Sequence, residues 1–139
     1  MFIDKQNTLG TAQAVTASAA STDYIDLGAA RDIGMGDPLH MVITVGDAVT
    51  ATGAATVTIG LQCDDNTSFS TPKTVIQTDA IPKATLVAGH QIFLPIPVGL
   101  DERYVRVYYT VATGPLTAGT FSAAITNGIQ KSKSYPDAI

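Results

Sequence analysis

The sequence predicts an all-β domain, a sandwich of two packed sheets, and three observations carry that expectation. Apolar side chains fall at every second position in the runs 55–63 (ATVTIGLQC) and 103–111 (RYVRVYYTV). Successive side chains of a strand point to opposite faces, so such runs place one side in a core and the other nearer water. Composition points the same way: charged residues make up only 14% of the chain and Glu102 is its sole glutamate. Helix surfaces draw on Glu, Lys, Arg and Leu, whereas the Thr and Val abundant here suit strands and Asp suits turns. Finally, clusters rich in Gly, Pro, Asp and Ser at 34–38, 64–72 and 97–101 punctuate the apolar runs at the spacing of short strands.

Taken in order, residues 1–11 carry Phe2 and Ile3 without a periodic partner and read as an N-terminal arm. Strands are then expected at 13–19, 24–27, 39–45, 55–63, 73–78, 90–96, 103–111 and 120–126. About eight short strands with no convincing helix make a jelly-roll-like sandwich, over 12–128, the simplest architecture. The runs 39–45 and 55–63 read as central strands. Pro95 and Pro97 put 90–96 at an edge, because proline has no N–H to give a ladder. The stretch 46–54, GDAVTATGA, reads as a projecting loop. Residues 129–139 form a polar C-terminal tail holding Tyr135 and Ile139. The two ends are either frayed termini or arms that order against a neighbouring subunit. As arms, they would be anchored by Phe2, Ile3, Tyr135 and Ile139.

A chain of 139 residues fits one domain with a core that needs no disulfide or metal. Its net charge of −4 gives no electrostatic grip on phosphate backbones, so direct nucleic-acid binding is not expected. No apolar run approaches the roughly 20 residues that span a bilayer, and no membrane role is expected. The start, MFIDKQNTLGT, lacks the charged and apolar segments of a secretory signal, which makes a cytoplasm the expected place of synthesis. Cys63 is the single cysteine. Its place in the alternating run Val57, Ile59, Leu61, Cys63 makes it a buried small hydrophobe rather than a reactive thiol.

A search for reactive chemistry yields no assembled set, so neither enzyme activity nor a metal or cofactor is expected. His40 and His90 have no ligand spacing to a Cys, an Asp or one another. No Gly-x-Ser-x-Gly elbow occurs. Gly34-Met35-Gly36 lacks the third glycine and following helix that cradle a pyrophosphate, and reads as a turn. Asp64-Asp65-Asn66 offers oxygen ligands but not the rest of a calcium loop, and reads as a hairpin turn. Tyr104 and Tyr108 share one face of 103–111 while Tyr109 turns to the other. That pair is a candidate contact surface: a sugar-stacking strip in one reading, packing in the other.

The opening MFIDKQNTLGTAQAVTASAASTDYIDLGAARDIGMGDPL and the later RYVRVYYTV…TAGTFSAAI resemble the capsid cement, or decoration, proteins of tailed bacteriophages, of the type described for a Bordetella phage. The resemblance runs along nearly the whole chain and contains no catalytic signature. It implies a jelly-roll-like domain on the outer surface of an icosahedral head, clamping neighbouring major capsid subunits. It also implies a homo-oligomer, a dimer ahead of a trimer, with the virion as final location. A carbohydrate- or receptor-binding sandwich of a phage appendage, using Tyr104 and Tyr108, is the alternative.

Overall fold

Two antiparallel sheets face each other across an apolar interior, in a computed structural model that describes residues 2–130. After a short 3-10 turn at Lys5–Asn7, the strands are β1 (Thr8–Ala14), β2 (Ala19–Ala20), β3 (Ile25–Asp26), β4 (His40–Val45) and β5 (Thr56–Asp64). They continue as β6 (Lys73–Gln77), β7 (Ile81–Pro82), β8 (Gln91–Pro95), β9 (Tyr104–Ala112) and β10 (Thr120–Thr126). One sheet has the order β1-β10-β4-β8. The other has the order β2-β9-β5-β6, with β3 also paired to β9 and β7 to β5.

The core forms where the two alternating patterns meet. From the second sheet, Val57, Ile59, Leu61 and Cys63 on β5 and Val105, Val107 and Tyr109 on β9 are completely buried. From the first, Met41, Ile43 and Val45 on β4 and Phe121, Ala123 and Ile125 on β10 join the same cluster. The rings of Tyr109 and Phe121 meet with centroids 5.1 Å apart, and burying each such side chain is worth about 1.5–3 kcal/mol. Cys63 is the buried small hydrophobe its run implied, and burial pushes its thiol pKa up. β4 and β5 lie inside their sheets, and β8, which ends at Pro95, lies at an edge.

Three expectations differ from the structure. The first strand spans Thr8–Ala14 rather than 13–19, so the last residues of the expected N-terminal arm belong to the sandwich, with Leu9 fully buried. β1 pairs with β10 through two register shifts, and Ala12 sits at φ 47. Bulges of this kind keep the backbone ladder while breaking side-chain alternation. Second, the stretch 46–54 does not simply project. Val49 is buried and its N–H donates to the Leu86 carbonyl at 2.9 Å, and Thr50 bridges to Ala118. Third, β7 had no counterpart in the expected strands and β2 meets them only at Ala19, the end of the expected 13–19; each is two residues long.

Candidate interaction surface

The outward face of β9 carries Tyr104, Arg106 and Tyr108, the half of the alternation that the core does not use. β5 lies beside it in register, pairing Gln62 with Arg106 and Asp64 with Tyr104. On the other side, β3 pairs Asp26 with Tyr104. Residues from three separate parts of the sequence therefore converge on one sheet face.

Arg106 is the centre of this face. Its guanidinium carbon lies 4.2 Å from the ring centroid of Phe69 and 5.5 Å from that of Tyr108, distances at which a cation is attracted to an aromatic face. Its Nε donates to Gln62 Oε1 at 3.0 Å, and partial burial lowers its pKa. Arg103 is held differently. Its Nε and Nη2 donate to the two carboxylate oxygens of Asp26 at 2.7 and 3.0 Å, and its guanidinium carbon lies 5.1 Å from the Tyr104 centroid. The Arg103 hydrogen bond, helped by the Gly28 N–H, brings the Asp26 carboxyl down to about 2. Tyr24, 47% exposed, meets Tyr104 edge-on at 5.6 Å and 85° and Phe69 at 6.2 Å and 62°.

Phe69 reaches this position because the β5–β6 loop is tied from within. Asp64 Oδ1 accepts from the Asp65 N–H at 2.6 Å and from Asn66 Nδ2 at 3.2 Å, and its Oδ2 accepts from the Thr71 N–H at 2.9 Å. Burial pushes the Asp64 carboxyl up, but these hydrogen bonds outweigh it and hold its pKa below the usual value. The run Asp64-Asp65-Asn66 thus organises a loop. Phe69 is nearly buried at φ 48, a backbone region that bulky side chains seldom adopt.

Tyr104 and Tyr108 therefore share a face, as their spacing implied, and belong to a wider surface that includes Tyr24, Phe69, Arg103 and Arg106. The position of Arg106 was legible, since it alternates with the two tyrosines. Tyr24 and Phe69 arrive from distant segments and leave no local signal. Phe2 and Ile3 are elsewhere. Phe2 is 97% exposed, its carbonyl accepting from Thr126 Oγ1 at 3.2 Å. Ile3 borders a hollow of about 200 Å³ lined by Thr8, Gly10, Val42, Ser122 and Ala124 on the four-stranded sheet. The structure does not bring them to the tyrosines. Tyr135 and Ile139 lie outside the described residues.

Among the described residues, no group of three or more His, Cys, Asp and Glu side chains is placed to hold a metal ion. No helix among them is long and apolar enough to cross a membrane.

A protein-family model, Bbp16, matches residues 9–125. The chain belongs to the Bbp16 family. The match runs from β1 into β10, so it takes in both sheets and every residue of the aromatic–arginine surface. Among curated proteins, none matches the chain.

Proposed function

We propose that this protein is a non-enzymatic cement protein that binds the outside of an icosahedral phage head and clamps neighbouring major capsid subunits. It is made in the host cytoplasm and acts on the virion as a homo-oligomer, a dimer ahead of a trimer. The observation that carries this reading is the broad face formed by Tyr24, Phe69, Tyr104, Tyr108, Arg103 and Arg106. Tyr, Phe and Arg are the residues enriched where proteins bind proteins, and a few of them supply most of the binding energy. The family name fits a Bordetella phage protein, in keeping with the resemblance in the sequence. The strand orders β1-β10-β4-β8 and β2-β9-β5-β6 support the jelly-roll reading, with β2 and β3 acting as one interrupted strand.

Cementing is linkage. A protein that binds the expanded shell and not its separated subunits stabilises the shell by mass action. An oligomer touching several subunits gains further from effective concentration, so each contact can be modest. The sugar-binding alternative fits the geometry less well. Tyr24 stands at 85° to Tyr104 and Arg103 lies over the Tyr104 ring, so Tyr104 is already engaged by protein groups. Heads purified with and without the protein provide the test. Heads that lack it are expected to rupture at lower temperature and lower osmotic shock, and equal thresholds would remove the cement reading.

A further inference from the structure

We propose that Arg106 is the anchor of the shell-binding face and that it takes an aspartate or glutamate carboxylate from the major capsid subunit. This rests on the cement reading and adds the chemistry of the partner's contact. Arginine presents a planar fork of donors that matches a carboxylate bidentately, and the two arginines of this face use that fork differently. Arg103 has already spent its own on Asp26. Arg106 gives only its Nε, to Gln62, and its two terminal nitrogens have no hydrogen-bond partner among the described residues. The ion pairs among those residues are Lys73–Asp101 and Arg103–Asp26, and Arg106 enters neither.

The charge of Asp64 acts on Arg106 across this face, but no ion pair joins them, and the two Asp64 oxygens are engaged by Asp65, Asn66 and Thr71. The guanidinium is therefore a cation with no carboxylate in ion-pair contact among the described residues. Its carbon lies 4.2 and 5.5 Å from the Phe69 and Tyr108 ring centroids, and its Nε is fixed by Gln62. Side-chain entropy is largely spent before the partner arrives, which is how preorganisation raises affinity. Tyr104 and Tyr108 flank Arg106 on the same face of β9, and Tyr24 packs on Phe69 and Tyr104; a partner that covers these rings desolvates the charge pair, which strengthens it. The chain as a whole carries −4, so a cation with no ion pair on this face runs against the overall charge.

The experiment titrates the purified full chain onto heads that lack it and measures occupancy at several salt concentrations. Wild type is compared with Arg106→Gln and Arg106→Lys, each first shown to keep the wild-type thermal transition; Arg106→Lys keeps the charge and much of the stem that packs on Phe69. Arg106→Gln is expected to weaken binding by roughly thirtyfold, the scale for losing one partner of a desolvated charge pair. Arg106→Lys is expected to retain more binding than Arg106→Gln, and the salt dependence of Arg106→Gln is expected to be shallower than that of wild type. Wild-type affinity and wild-type salt dependence in Arg106→Gln would overturn the anchor while leaving the cement reading intact. Failure of the wild-type chain itself to bind would overturn both.

Discussion

Tyr109 shows how tightly one residue can be committed to packing. Its ring is fully buried against Phe121, and its hydroxyl has no hydrogen-bond partner among the described residues. Burial raises its pKa, so the hydroxyl stays protonated. A buried polar group without a partner costs about 1–3 kcal/mol, whereas the ring contributes its burial whether or not it carries oxygen. Tyr109→Phe is therefore expected to stabilise the fold by about 1 kcal/mol, read as a higher midpoint in urea with an unchanged slope. A lower midpoint would mean that the hydroxyl is bonded in solution. The neighbouring Tyr108 has the opposite duty, facing outward beside Arg106. Alternation separated those two tyrosines from sequence alone, because adjacent strand positions cannot share a face.

At the scale of elements, strands with a sustained apolar rhythm were the legible ones. β5 and β9 bury every second side chain over Val57–Cys63 and Val105–Tyr109, and β4 and β10 do so while also burying Val42 and Ala124, so their positions follow from that rhythm. β1 was displaced because its register shifts between Thr8 and Gly10 and between Gly10 and Gln13 break the rhythm while the backbone stays paired. β3 was expected at 24–27 and lies at Ile25–Asp26, but β2 was not legible, because the edge of β9 beside it is satisfied partly by hydroxyls. Ser21 Oγ accepts from the Val107 N–H at 3.0 Å, and Ser18 Oγ accepts from the Val111 N–H at 2.9 Å. A serine can stand in for a strand carbonyl, but nothing in the residue type announces that it does. The surface around Arg106 was half legible on the same grounds, its β9 residues showing in the pattern and its loop residues not. Ser21→Ala leaves the N–H of Val107 without its acceptor on a fully buried residue. The expected cost is about 1–2 kcal/mol, seen as a lower thermal midpoint and faster amide exchange at Val107. Unchanged exchange there would show that the β9 edge is held without Ser21.

For the whole molecule, three aspartates with lowered pKa values set the response to acid, and all three serve the six-stranded sheet. Asp26 ties β3 to β9 through Arg103. Asp64 ties the β5–β6 loop that presents Phe69. Asp101 pairs with Lys73 at the start of β6, and that hydrogen bond holds its carboxyl below the usual value. A carboxylate whose folded pKa lies below its unfolded value of about 3.9 contributes its full stability above that pH. The contribution is lost as pH falls through the folded value, which for Asp26 is about 2. The thermal midpoint is therefore expected to hold steady down to about pH 4 and to fall as pH drops toward 2. Asp26→Asn is expected to have a lower midpoint at neutral pH and a shallower fall, because it has lost one of the groups that must take up a proton. A wild-type midpoint unchanged from pH 4 to pH 2 would mean that these carboxylates titrate alike in the folded and unfolded chains. Because the same bonds position Tyr104, Phe69 and Arg103, the aromatic–arginine face is expected to loosen within that pH window, ahead of the four-stranded sheet.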